Sequence, residues 1–501
     1  MTKNIDLSAQ ELAAQKSNKK VIKSSWLRNF LAIDEQKFFI NLAQTPTGIL
    51  MMALVAMAAT IPHLGFLYSA SAILGAMLAV TFPKVRDLIL FVTTWLIALF
   101  AIGLGDVDTL ENIELVLQQE NITNISPVVL SIGFLLIFFV LASAVLYQVR
   151  YFPKSFLAQH PMISVLSLEI LLCGFGSFDL LHGASRVFLW SAIFVLTPYI
   201  WFLPYAINDQ RGKNYPSYLL QMSTLRPFWS PTYLPFGKGA TFLQKHLSKN
   251  ATDLAVTQLK AIKLLIWANI LFSFNYFLNW VFIEHLGIPI VPKVIDSFLM
   301  EKSLPLLTSW LAILLSTASY SLNIAFWIGI FVGIARLAGY RLPRGCWRPL
   351  ESQNLMEYFN RFQYYFKELL VDFFFIPTFF KYFRNHPRLR MFFATFMAAG
   401  VGNGLWHFFR DIDLIATQGP INAFGTFASY IFYCIILATF VGISQVRVSM
   451  GIRPSSTKLG RIYSFILVWS FVTCMHVFSV DSINHSLGDR LLFLQSLFGV
   501  N

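Results

Sequence analysis

Leu304-Pro-Leu-Leu-Thr-Ser-Trp-Leu-Ala-Ile-Leu-Leu-Ser-Thr-Ala-Ser-Tyr-Ser-Leu-Asn-Ile-Ala-Phe-Trp-Ile-Gly-Ile-Phe-Val-Gly-Ile-Ala-Arg-Leu-Ala338 is an almost unbroken apolar run, and its reading decides the architecture. It is long enough for two short helices, or for one long, tilted or broken helix. The flanks choose between them. A mixed-charge stretch, 284–303, precedes it, and a basic cluster, Arg336, Arg341, Arg344 and Arg348, closes and follows it. Short loops rich in Lys and Arg face the cytoplasm. One helix puts 284–303 outside and the arginines inside, whereas two do not, so the run is read as one span.

The rest of the chain follows the same logic. Of its 501 residues, 56% are hydrophobic and 13% charged, about half the roughly 25% charge of an average soluble domain. Apolar runs of helical span length recur, without the alternating ten-residue strands of a barrel. The expected fold class is all-α: a multi-pass transmembrane helical protein with ten or eleven crossings plus a re-entrant segment. Residues 48–82 break at Ile61-Pro-His-Leu-Gly65 and read as a helical hairpin. Further spans are read at 88–105, 128–147, 162–181, 187–206, 264–283, 304–338, 391–409, 421–443 and 462–480. The acidic stretch 106–120 falls on the outer side.

Residues 1–45 carry Lys16, Lys19, Lys20, Lys23 and Arg28 and read as a basic cytoplasmic tail, disordered or surface-lying, in which Ser8 offers a cap for a short helix. The membrane domain occupies 46–501. Within it, 208–260 is a basic cytoplasmic loop (Arg211, Lys213, Arg226, Lys238, Lys245, Lys249) whose aromatics and prolines lay it on the membrane face. The net charge of +13 is explained by topology and anionic headgroups rather than by nucleic acid. Cys173, Cys346, Cys434 and Cys474 are scattered, with no metal-ligand spacing and no disulfide framework. No HExxH, CxxC or phosphate-binding loop occurs, and no metal is expected.

Polar chemistry concentrates in 344–410. A charge at the bilayer centre costs roughly 2.5–3.5 kcal/mol on insertion scales, yet Lys367, Glu368 and Asp372 interrupt the apolar run 362–380. Basic residues flank that run on both sides, with Lys381, Arg384, Arg388 and Arg390 behind it, so it reads as re-entrant from the cytoplasmic face. Asn360, Gln363 and Lys367 form one stripe at helical spacing, with Asp372 offset. Lys367 and Glu368 are adjacent and point differently. His407 lies in an apolar run, where burial favours the neutral imidazole that serves as a base. Gly402 and Gly404 leave room beside it for a substrate chain or a close helix. Each patch also has a structural reading, a buried network that satisfies itself or a histidine bonded to a neighbouring helix. Glu169, Asp179 and His182 form a third patch in the 162–181 span. Asn275 and Asn279 share a face and read as interhelical hydrogen-bonders; His63 and His476 read as structural.

Three of these stretches together resemble the membrane-bound O-acyltransferase superfamily, which includes bacterial alginate O-acetylases and the D-alanyl transferases of teichoic acid. Members carry Trp-x-Arg-Trp-His, an Asp about nine residues on followed by aromatics and Ile-Pro, and a later Gly-Leu-Trp-His. Here Phe359-Asn-Arg-Phe-Gln363 stands at the first motif, Asp372-Phe-Phe-Phe-Ile-Pro377 at the second and Gly404-Leu-Trp-His407 at the third. The first family histidine is Gln363, and both tryptophans of that motif are phenylalanine.

The resemblance implies a helical ring around a central chamber in a bacterial inner membrane, with the N-terminus cytoplasmic. A cytoplasmic acyl thioester such as acyl-CoA is the co-substrate, with no bound cofactor. A hydroxyl-bearing acceptor, an envelope glycan or a secreted small molecule, meets it there, with an extracytoplasmic partner protein as a further expectation. His407 is the expected general base. Gln363 and Asn360 are expected to bind the oxyanion or orient the acceptor, and Arg361, Lys367, Asp372, Asn403 and Trp406 to bind substrate. Two rivals stand beside it: a transporter using Glu169, Asp179 and His407 as a polar path, and a non-catalytic relative.

Overall fold

The computed structural model describes residues 32–104, 107–177, 181–212, 215–230, 232–302, 304–452, 454, 457–480 and 484–499. Most of the N-terminal tail with its Ser8 cap, Lys213 and Asp179 lie outside the described residues. Among them the regular structure is helical, apart from one antiparallel bridge between Leu247 and Tyr340. Among the described residues seven helices are long and apolar enough to cross a membrane: Pro46–Leu64, Pro127–Tyr151, Ala184–Trp201, Ala251–His285, Leu306–Leu337, Ala428–Ser449 and Lys458–Ser479. Counting Phe66–Thr81 with Pro83–Phe100, bent by 112°, as one span gives eight.

That is fewer than the ten or eleven crossings expected. Four of the runs counted from sequence, two of them the adjoining runs 66–82 and 88–105, are short or broken. Pro161–Ser177 has 17 residues, the 66–100 run bends sharply at Phe82 and Pro83, and the 391–409 run is interrupted by a π-turn. Hydropathy counts apolar residues but does not register where the hydrogen-bond ladder shifts.

The first hairpin is as expected. Helix α1 (Pro46–Leu64) has Pro62 in its last turn and ends at Gly65, which starts α2 (Phe66–Thr81). Gly65 has φ +75°, a conformation that glycine adopts without the Cβ penalty.

The polar 208–260 stretch ends earlier than its composition suggests. Asn250 caps α3 (Ala251–Asn279), accepting a hydrogen bond from the Asp253 amide at 2.8 Å. Gln258 is buried and donates to the Leu337 carbonyl at 3.1 Å, so ten residues read as loop are helix. The preceding loop packs inward. Phe228, Trp229 and Phe236 are buried, and the Trp229 indole donates to the Phe236 carbonyl at 3.0 Å.

The 304–338 run is one helix, α4 (Leu306–Leu337), of 32 residues. It lies against α3 through Gly329 and Gly333. A Cβ on Gly333 would sit 2.7 Å from Leu265 Cδ2, so the glycine sets how closely the two backbones approach.

After α4 the chain doubles back. Gly345 presses on Ile328; a Cβ there would lie 2.0 Å from Ile328 Cγ2. The short helix α5 (Leu355–Arg361) follows. Gln363 then donates from Nε2 to the Tyr320 hydroxyl at 3.3 Å, about 25 Å back from the end of α4 at 1.5 Å per residue. From there α6 (Tyr364–Leu370), a π-turn at Val371–Phe375 and α7 (Ile376–Lys381) carry the chain to the basic tip at Lys381. The excursion thus has two limbs, an inward one at 338–363 and a helical return at 364–381. The sequence reading assigned it to 362–380 alone. Pro377 does not end the helix, because the π-turn ahead of it accommodates its missing N–H.

The chain then runs antiparallel to that return limb: α8 (Pro387–Phe396), a π-turn at Met397–Gly402 and α9 (Asn403–Arg410). Two long helices close the bundle, α10 (Ala428–Ser449) and α11 (Lys458–Ser479). Arg490 is fully buried beyond α11 and donates to the Val477 and Val480 carbonyls at 2.5 and 2.7 Å. It places a cation where the helix dipole favours one and fixes the end of α11 that carries His476.

Candidate functional site

A cavity of about 480 Å³ lies between α4, α5, α6, α9, α10 and α11. Its lining on α10 runs from Tyr430 to Gln445, about 22 Å of that helix at 1.5 Å per residue.

Six of the eight residues singled out from sequence line it: Asn360, Gln363, Lys367, Asp372, Asn403 and His407. They do not form the single helical stripe expected of 360–367. Gln363 adopts a left-handed φ of +55° and breaks the chain between α5 and α6, which aims Asn360 and Lys367 into the cavity from different helices. Two residues fall outside the lining. Arg361 faces away, paired with Glu357 at 2.5 Å and Glu351 at 3.6 Å. Trp406 packs against Phe366, ring centroids 5.0 Å apart, and supports His407 from behind.

His407 sits one turn after Asn403 on α9. Its ring lies 4.3 Å from that of Tyr430 and 4.8 Å from that of Trp406. Its Nδ1 and the Asn403 Oδ1 are both buried without a hydrogen-bond partner. Such groups are rare in folded proteins, and each calls for an explanation. The two glycines beside them differ in purpose. A Cβ on Gly402 would lie 2.8 Å from Phe374 Cδ2 and 3.0 Å from Leu370 Cδ2, whereas one on Gly404 would meet only Cys434 Sγ at 3.8 Å. Gly402 therefore serves helix contact. Gly402→Ala is expected to destabilise by roughly 1–3 kcal/mol through overpacking, and Gly404→Ala to be neutral or slightly stabilising. Thermal unfolding in detergent distinguishes them.

Four charged residues form one network at the cavity wall, while Arg410, also in the lining, pairs separately with Asp411 at 2.7 Å. Lys238, from the inward-packed loop, reaches Glu368 at 2.6 Å and Asp372 at 2.8 Å. Lys367 pairs with Glu368 at 2.8 Å, although neighbours in sequence were expected to diverge. The Tyr205 hydroxyl donates to Asp372 at 2.9 Å. Two cations and two anions balance, so Asp372 is held as part of a network rather than left free for substrate. Burial disfavours the charged form of Lys238, but the Asp372 and Glu368 carboxylates outweigh it and hold the ammonium above the usual lysine range.

Sequence reasoning missed Lys238, Tyr320, Tyr430, Tyr433 and His476 as parts of this site. A signal existed for Tyr320: Ser316-Thr-Ala-Ser-Tyr-Ser321 is a polar patch at the middle of an apolar helix. None existed for Lys238, which reads as one more basic loop residue. Other polar residues stand apart. His63 bonds Asn269 Oδ1 at 3.0 Å, and Asn279 accepts from Ser319 at 3.0 Å, as expected of structural groups. The Asn275 Oδ1 has no partner. Glu169 is buried and accepts from Thr197.

No protein-family model matches the chain, and no curated protein matches it.

Proposed function

We propose that this chain is an O-acyltransferase of the bacterial inner membrane, its N-terminus cytoplasmic, that moves an acyl group, acetyl first among candidates, from a thioester to an acceptor hydroxyl. One observation carries the reading. The unpartnered polar atoms of His407 and Asn403 belong to residues that share an elongated cavity with the Gln363 amide. The resemblance of Gly404-Leu-Trp-His407 and its companion motifs to the acyltransferase superfamily agrees with it.

The chemistry follows from the side chains. His407 takes the proton of the acceptor hydroxyl as its oxygen attacks the thioester carbonyl. The new C–O bond leaves the carbonyl oxygen negatively charged, and the amide N–H groups of Gln363 or Asn360 stabilise it. Collapse breaks the C–S bond, and the thiolate recovers the proton from the imidazolium. The cavity's reach along α10 suits a donor and an acceptor arriving from opposite ends.

The test is transfer of label from radiolabelled acetyl-CoA to envelope glycans by the purified protein in lipid nanodiscs. Flux of solute through proteoliposomes without such transfer would instead favour a transporter. Glu169, one group proposed for a transport path, is bound to Thr197 and does not line the cavity.

A further inference from the structure

A second imidazole lines the same cavity. His476 lies on α11, next to the cavity-lining Met475 and Ser479. Its ring centroid is 5.4 Å from that of Tyr320, the residue whose hydroxyl accepts from Gln363. The superfamily's first histidine is absent from its motif position here, and an imidazole enters the chamber from a different helix, across Tyr320 from Gln363.

The two ring nitrogens of His476 are used unequally. Nε2 shares a hydrogen bond of 2.9 Å with Ser316 Oγ on α4, its direction set by the tautomer. Nδ1 has only Ser479 Oγ at 3.4 Å, too long for a strong bond. His63, by contrast, bonds Asn269 and lies between Phe272 and Phe326 at 4.5 and 4.6 Å. The Ser316 bond fixes the His476 ring and leaves Nδ1 able to take an oxygen from the cavity. Arg490, bound to the last carbonyls of α11, keeps this end of the helix in place.

We infer that His476 is a positioning residue for the acceptor: its Nδ1 holds a hydroxyl of a polyhydroxylated acceptor so that a neighbouring hydroxyl faces His407. This assignment rests on the acyl-transfer reading and extends it, dividing the work between two imidazoles on different helices. Ser316 orients His476, and Tyr320 separates it from the Gln363 amide that faces the donor carbonyl.

The test uses the full chain in nanodiscs with radiolabelled acetyl-CoA as donor and alginate or glucan oligosaccharides as acceptors. His476→Ala is expected to raise the acceptor KM roughly tenfold, the worth of one hydrogen bond, while the acetyl-CoA KM stays as in the wild type. His476→Gln, which keeps a polar group at similar reach, is expected to recover part of the loss. Ser316→Ala should move the acceptor KM in the same direction by a smaller factor. An unchanged acceptor KM in His476→Ala overturns the assignment. So does a parallel rise in both KM values with no recovery in His476→Gln, which marks a structural role. Wild-type protein that transfers label to neither oligosaccharides nor water overturns the acyl-transfer reading, and this assignment with it.

Discussion

Replacing His407 by alanine is expected to lower acyl transfer by about 10²–10⁴, the usual contribution of a positioned general base. The protein should remain folded. The Nδ1 atom has no hydrogen-bond partner to lose, and the ring's neighbours, Tyr430, Trp406 and Phe366, are aromatic. The side chain also borders an existing cavity, so its removal enlarges that space rather than opening a new void. His407→Gln should lose as much activity as His407→Ala, because an amide replaces the hydrogen bond but not the base. Label transfer and thermal unfolding are measured on the same preparations. Transfer that survives either substitution removes His407 from the mechanism.

The second large effect is expected at Lys238. Lys238→Met leaves Glu368 and Asp372 with only Lys367 to balance them. Removing one partner from a buried ionic network typically costs about 3–5 kcal/mol, read here as a lower unfolding midpoint in detergent. The double variant Lys238→Met with Asp372→Asn restores the balance and should regain most of the loss. A single variant as stable as wild type would show that the network does not hold the loop against the return limb. The pH dependence has a definite sign. The folded-state value of Lys238 is raised above its usual 10.5, so its contribution is complete below that value. It is lost only as pH rises through the higher folded value. Neutral and mildly acidic conditions leave the lysine charged.

Lys238 also illustrates why part of the site was hidden. It lies 130 residues before Glu368 in a loop, and its role depends on Gly237 and Lys238 both adopting positive φ, +99° and +52°. Nothing in residue spacing reports such a turn. Asn360 and Lys367 show the converse. Their membership of the cavity was foreseen from spacing, but on a stripe that does not exist, since Gln363 breaks the helix between them. Lys367 and Glu368 pair within the network that Lys238 joins, which adjacency alone could not foretell.

Run length and flanking charge determined the helical class, the hairpin broken at Gly65 and the single helix across 304–338. These are local properties: the cost of an unpaired backbone in hydrocarbon acts on each segment separately. Gly404-Leu-Trp-His407 marked a histidine that lines the cavity with an unpartnered nitrogen. Tertiary structure alone decided the rest. It folded 338–381 into an inward and a returning limb, brought His476 and Tyr320 into the cavity from helices far apart in sequence, and closed the Lys238 network around Asp372. Each depends on which faces of distant segments meet, and that is fixed by packing and charge balance summed over the whole bundle rather than by any one stretch.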